Sequence, residues 1–302
     1  MGSEAEAAAA RRTRIGVLYA LGAFFMWGLA VPLHFKLLAS IPAPQILAHR
    51  IVWASLFAVG LIVAFSQGGK LIEAFLSGKR LLLLSASAAL IATNWLIYIW
   101  AVNSGHLVQT SLGYFINPLL NVVLGVLFLR ERLHPAQVAA CLLAGVGVIV
   151  LAISSGEMPW VALALACSFG LYGLVRKIVQ VSPLIGFCIE SLLLTPLALG
   201  YLALTIAGGD AAAFKGDIGL DLLLVLTGFS TAVPLIWFAA AAQRLTLSTI
   251  GLLQYLAPSG QLALGTLVYG EAFGWMDAIA FGLIWTALAI YTASALRAAP
   301  GR

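Results

Sequence analysis

The sequence predicts an all-α polytopic membrane protein with ten transmembrane helices, arranged as two inverted five-helix repeats (5+5), and with both termini in the cytoplasm. Three observations predict it. First, 62% of the 302 residues are hydrophobic and only 9% are charged, whereas a soluble domain carries about 25% charged residues. Second, the apolar residues fall into stretches of about 20, the length a helix needs to cross a bilayer core of roughly 30 Å. Third, the second half of the chain echoes the first at an offset of 140 residues. The mean hydropathy is +1.05. No soluble interior of this size hides so much apolar surface, so the solvent is lipid.

The spans are read at roughly 15–38, 44–66, 80–101, 107–129, 135–153, 159–178, 184–206, 219–242, 249–270 and 274–296. The domain organisation follows from them. Residues 1–14 form a cytoplasmic tail, 15–153 the first repeat, 154–296 the second, and 297–302 a second cytoplasmic tail. The opening MGSEAEAAAARRTR is polar, and the apolar run behind it is too long for the core of a signal peptide, so the first span is retained. Glu6 breaks the myristoylation pattern.

The net charge of +5 sits in short loops rather than on one face, which excludes a nucleic-acid binder. Arg11, Arg12 and Arg14 precede span 1. Lys70, Lys79 and Arg80 lie between spans 2 and 3, Arg130 and Arg132 between 4 and 5, and Arg176 and Lys177 between 6 and 7. Arg244 lies between spans 8 and 9, and Arg297 and Arg302 follow span 10. The opposite loops hold only Lys36 and Lys215, the latter beside Asp210, Asp217 and Asp221. Basic residues stay on the cytoplasmic side, so both termini belong there and the number of spans is even. Cys141, Cys167 and Cys188 all lie in apolar runs without a CxxC, which reads as small buried hydrophobes and implies no disulfide, metal or cofactor.

The repeat rests on spacing. At an offset of 140, Pro118 meets Pro258, Gly125 meets Gly265 and Glu131 meets Glu271, while Asn103 meets Gln243 and Phe115 meets Tyr255. Near span 1 the offset is 142, where WGLAVPLHFK (Trp27 to Lys36) aligns with FGLYGLVRK (Phe169 to Lys177) with one residue dropped. Five spans per half is odd, so the second half lies upside down. Such halves can exchange conformations and open a central site to alternate sides of a membrane.

The two copies of Pro-x6-Gly-x5-Glu, together with this topology, resemble the EamA family of the drug/metabolite transporter superfamily. ILAHRIVWAS (Ile46 to Ser55), NWLIYIWAVN (Asn94 to Asn103), SLGYFINPLLNVVLG (Ser111 to Gly125) and YGLVRK (Tyr172 to Lys177) resemble its RarD-type branch. The resemblance covers essentially residues 14 to 296. It implies a multi-pass carrier of the bacterial inner membrane, often an exporter of amino acids, metabolites or drugs. RarD-type proteins are commonly labelled chloramphenicol-sensitivity proteins. The resemblance also implies that spans 1–4 and 6–9 surround a central cavity, with spans 5 and 10 peripheral or at a homodimer contact.

Polar residues inside the spans are the candidate site. Arg50 is a cation within span 2, which costs a few kcal/mol unless it is paired or lines a wet cavity. It reads either as snorkelling to the outer interface or as a cavity cation whose planar fork holds a carboxylate. His49 beside it points roughly 100° away around the helix. Glu190, 140 residues after Arg50, reads either as a structural partner of Arg176 or Lys177 or as a proton-coupling carboxylate. Asn94 and Tyr98 share one face of span 3, next to Trp95. Tyr114, Asn117 and Asn121 form one inward stripe of span 4, and Gln254 and Tyr255 lie in span 9. These amides read either as substrate contacts or as hydrogen-bond glue between helices. Pro118 and Pro258 each remove a backbone hydrogen bond in mid-span and, with Gly28 and Pro32 of span 1, are the candidate gating hinges. The substrate-binding set is therefore Arg50, His49, Asn94, Trp95, Tyr98, Tyr114, Asn117, Gln254 and Tyr255.

No GxxxxGK[ST] occurs, so ATP is not the driver, and a secondary carrier or an uncoupled facilitator or channel remains, with proton coupling admitted through Glu190. An enzyme is disfavoured. Only Asp217 and Asp221 are spaced like part of a metal-binding pair, and no Asp lies deep in a span. An accessory membrane protein is the remaining rival. The expected partners are a small-molecule substrate and the bilayer.

Overall fold

The computed structural model describes residues 2–103, 107–154, 160–211, 213, 217–268 and 274–298. Helix α1 (Gly2–Phe25) runs through a π-helical turn (Met26–Ala30) into α2 (Val31–Leu37). Then follow α3 (Ala43–Ala64), α4 (Gly68–Leu76), α5 (Gly78–Asn103), α6 (Leu107–Leu129), α7 (Pro135–Ser154), α8 (Trp160–Ile178), α9 (Pro183–Ala207) and α10 (Ile218–Ala242). The chain closes with α11 (Leu247–Gln254), α12 (Leu256–Ala263), a second π-helical turn (Leu264–Val268) and α13 (Trp275–Ala298). Nine helical stretches among the described residues are long and apolar enough to cross a membrane.

The segment read from sequence as an unbroken ninth span, 249–270, is divided at Tyr255. Pro258 has no N–H for the carbonyl of Gln254, and its ring crowds that carbonyl. Tyr255 N–H bonds instead to Leu252 O at 3.2 Å, three residues back. Pro118 is tolerated within a continuous α6. A second difference is α4, a short amphipathic helix in the loop between spans 2 and 3. Its apolar residues Leu71, Ala74 and Phe75 pack on the bundle, while Glu73 pairs with Arg80 at 2.8 Å on the wet side. The N-terminal tail, described from Gly2, is helical and continuous with the first span. Asn103 has no described side chain, and Lys215 and Glu271 lie outside the described residues.

The outer wall is what a lipid solvent demands. Leu18, Val63, Leu82, Leu127, Leu142 and Leu197 are each more than two-thirds exposed, a belt that water would not tolerate. Inside, Phe24, Ile189, Phe238 and Tyr172 belong to the larger core, formed by α1, α3, α5, α8, α9 and α10. A smaller core joins α7 to α13 through Ala140, Ala144, Phe281 and Ile284. Small residues let backbones approach. A Cβ on Gly147 would stand 2.9 Å from Ala280 O, and one on Gly28 3.0 Å from Ala257 O.

One end of the bundle gathers the basic loops. Arg12 donates to Gln243 O at 2.8 Å, Lys177 donates to the carbonyls of Ala242 and Leu245, and Gln243 donates to Val181 O at 2.7 Å. Glu131 folds back and accepts from Leu247 N at 2.6 Å, Ser248 N at 2.9 Å and Ser248 Oγ at 2.6 Å. Its carboxylate thus satisfies the otherwise unpartnered first N–H groups of α11. Gly125 makes room for it, since a Cβ there would lie 2.5 Å from Glu131 Oε2. This geometry gives the Gly-x5-Glu spacing a physical meaning.

Candidate functional site

Two polar clusters face one small cavity between α3, α5, α8, α9 and α10. The cavity is lined by Ile51, Trp95, Tyr172, Glu190, Ser191 and Thr231 among others, and it has room for roughly one water molecule.

On one side stands Arg50. Its Nε donates to Thr231 Oγ1 on α10 at 3.0 Å. Its guanidinium carbon lies 4.9 Å from the Phe35 ring centroid and 5.1 Å from that of Trp95. Both contacts are in cation–π range. Tyr98 and Tyr114 lie in its surroundings, and their rings meet edge to face at 6.4 Å. Among the described residues no carboxylate lies within salt-bridge distance of Arg50. The result is a cation held by aromatic walls and one hydroxyl, with no counter-ion among the described residues. Along the α6 stripe Tyr114 is 41% exposed, whereas Asn117 is 2% and Asn121 0% exposed on the same helix face.

On the other side lies a paired cluster. Glu190 on α9 accepts from Ser87 Oγ on α5 at 2.5 Å and from Arg176 Nη1 on α8 at 3.3 Å, and Tyr172 of α8 lines the cavity beside it. Arg176 Nη2 also donates to Pro183 O at 3.1 Å. All four side chains of this cluster are buried.

The structure brings together Arg50, Trp95, Tyr98 and Tyr114. The other sequence candidates it places elsewhere. Asn94 donates to Leu165 O and Ser168 Oγ, both at 2.9 Å, and so ties α5 to α8. Asn117 donates to Ala166 O at 2.9 Å, and Asn121 donates to Asn117 Oδ1 at 3.1 Å and Gln254 Oε1 at 2.9 Å. Tyr255 donates from its hydroxyl to Phe115 O at 3.2 Å, beside Pro118. Most of these groups are spent on main-chain carbonyls of neighbouring helices, and Asn117, Asn121 and Gln254 also bond to one another. His49 is buried on a different face of α3, where Asp221 of α10 is the acidic group acting on it.

Of the hinge candidates, Gly28 sits in the π-helical turn and Pro32 opens α2 directly behind it. Gln261 donates to Trp27 O at 3.1 Å, satisfying a carbonyl of that turn. Gly28 packs on Ala257 and Gly260, next to Pro258, so two interrupted helices touch at their interruptions. Sequence reasoning missed Thr231 and Phe35, whose types are common in spans and carry no spacing signal. Of the two basic partners the sequence offers Glu190, the structure pairs it with Arg176, whose side chain is buried, while Lys177 bonds to main-chain carbonyls.

Known proteins agree with this architecture. A model of the EamA-like transporter family matches residues 14–153. Protein RarD of Escherichia coli strain K12 is 44% identical over 95% of this chain and 97% of its own length. The chain belongs to the EamA family of the drug/metabolite transporter superfamily, in its RarD branch. A Bacillus subtilis relative, the uncharacterized transporter YojE, is 44% identical over 94% of this chain and 96% of its own. A crystal structure that covers 94% of this chain and 99% of its own superposes with a TM-score of 0.71 at 19% identity, and so shares the fold. EamA and RarD membership together with the apolar helices make this a multi-pass transporter of the bacterial inner membrane.

Proposed function

We propose that the chain is a ten-span secondary transporter that exports small organic carboxylates by alternating access, with Arg50 as the anion-binding residue. The observation that carries the reading is the missing counter-ion of Arg50. A guanidinium inside a bundle is stabilised by a carboxylate, whose two oxygens match its fork. Among the described residues the chain supplies none there, so the substrate does. Trp95, Tyr98 and Tyr114 offer apolar walls for the rest of the molecule.

Two observations support inverted five-span halves. The α3–α10 contact has its counterpart in α5–α9, α5–α8 in α1–α10, and α6–α8 in the first span with α12. The α3–α9, α6–α11 and α7–α13 contacts join counterparts to each other. In addition, Ser55 bonds Thr195 at 2.6 Å and Tyr255 bonds Phe115, both pairs 140 residues apart. Residues that touch their own counterparts lie on a two-fold axis. The gathering of Arg12, Lys177, Gln243 and Glu131 at one sealed end fits cytoplasmic termini. The Tyr114 end then faces outward, and the substrate leaves there. Glu190 is the candidate for proton coupling, and spans 5 and 10 are the candidate homodimer face.

The test is uptake of labelled amino acids and chloramphenicol into everted membrane vesicles, for the unaltered protein and Arg50→Gln, with and without an uncoupler. Saturable uptake lost in the variant supports the carboxylate role; unchanged uptake in Arg50→Gln overturns it. Uptake that survives the uncoupler makes the protein a facilitator, and the absence of any saturable flux favours an accessory role.

A further inference from the structure

Among the described residues, the spans around the cavity hold two guanidinium groups, Arg50 and Arg176, and one carboxylate, Glu190. Arg50 has no acidic partner among the described residues, and Arg176 has Glu190. The two arginines are not far apart in their surroundings. Trp95 and Thr231, which hold Arg50, line the same cavity as Tyr172 and Glu190, which belong to the Arg176 cluster.

We infer that Arg176 is a second anion-binding subsite on the transport path, occupied in this state by the Glu190 carboxylate in place of a substrate carboxylate. The inference rests on the reading of Arg50 as the anion site. Three features beyond the pairing support it. Arg176 Nε is buried without a hydrogen-bond partner, so one edge of its fork is left unused. Gly186 leaves the guanidinium its space, because a Cβ there would stand 2.0 Å from Nη1. And Glu190 stands 140 residues after Arg50, so the carboxylate of the second half occupies the position that carries the cation in the first.

The chemistry is an exchange of anions. A guanidinium buried alone is strongly unfavourable, so Arg176 always keeps one carboxylate. With the basic end sealed, that carboxylate is Glu190. When this end opens, a substrate carboxylate takes its place, and it passes across the cavity to Arg50 as Glu190 returns. Arg176 and Arg50 thereby bind the same chemical class, a small carboxylate with a planar apolar body, at the two ends of one short path.

The test uses benzoate, a minimal planar carboxylate, titrated calorimetrically into the purified full chain in lipid nanodiscs. The unaltered protein is expected to bind one benzoate, which Arg50→Gln abolishes. Glu190→Gln, which removes the internal anion yet keeps the side chain's shape, is expected to bind two, and adding Arg176→Gln to it returns the number to one. Ser87→Ala, which loosens Glu190 without uncovering a charge, is the companion variant and is expected to reveal a second, weaker site. A single benzoate in both Glu190→Gln and Ser87→Ala overturns the second subsite and leaves the Arg50 reading standing. A second site that survives Arg176→Gln overturns it as well. No binding to the unaltered protein, with one benzoate bound by Glu190→Gln and lost on adding Arg176→Gln, overturns the Arg50 reading and keeps the subsite. No binding by any of them overturns both.

Discussion

Arg50 and Arg176 are the same residue type at two sides of one cavity, and the protein treats them in opposite ways. Arg176 is fully buried, bonded to Glu190 and to a backbone carbonyl, and fitted against a glycine. Arg50 has aromatic faces and one threonine hydroxyl and is only partly buried. The difference separates a charge paired with a carboxylate of the fold from one that, on the proposed function, awaits the carboxylate of a substrate. A buried pair gives little net stability, but breaking it leaves an uncompensated charge. A cation held by one hydroxyl and aromatic faces, with no acidic partner among the described residues, strands no buried carboxylate when it is removed.

Breaking the compensated side produces the largest effect. Glu190→Leu leaves Arg176 buried alone and is expected to cost about 3–5 kcal/mol, read as a large fall in thermal unfolding temperature in detergent. Gly186→Ala leaves both charges but drives a methyl into the guanidinium. It is expected to cost about 1–3 kcal/mol in the same assay, and a variant as stable as the original would show that Arg176 has slack. Glu131→Gln sharpens the comparison from a third place, a carboxylate whose partners are backbone N–H groups rather than a guanidinium. The loss of a charged helix cap is expected to cost about 1 kcal/mol and to leave anion binding at Arg50 unchanged. Arg50→Gln is expected to change stability by less than about 1 kcal/mol, since no buried partner is stranded, while saturable uptake disappears. A large stability loss in Arg50→Gln would erase the distinction between the two arginines.

Much of the fold was legible because a bilayer imposes simple rules on sequence. Span length is fixed by hydrocarbon thickness, and loop charge by the side of the membrane. The interruption at Tyr255 was partly legible through Pro258, yet Pro118 sits in an equivalent sequence setting within a continuous helix. What separates them is the surrounding packing, not the proline. At α6 the Tyr255 hydroxyl meets Phe115 O, and Gly251 lets α11 approach Pro118 O so closely that a Cβ would stand 2.4 Å away. The site was legible in type but not in assignment. Asn94, Asn117 and Gln254 have the polarity of a binding site, and the structure spends them on neighbouring helices. Trp95, Tyr98 and Tyr114 do surround Arg50, on helices whose relative rotation no single sequence states.

The sequence by itself determined the solvent, the class of fold and the family, because these depend on composition, on the length of apolar runs and on short motifs. Only the tertiary structure decided which arginine is neutralised. Arg176 lies at the edge of an apolar run, and the sequence offers it beside Lys177 as a partner of Glu190 without choosing between them, whereas Arg50 reads either as snorkelling to the interface or as a cavity cation. The fold makes the choice, since Arg176 is 0% exposed and bonded to Glu190 while Arg50 is only partly buried. The physical reason is that pairing depends on distances across helices. Glu190 reaches Arg176 because α8 and α9 follow each other and Gly186 clears the space between them, and no described acidic residue of any helix reaches Arg50.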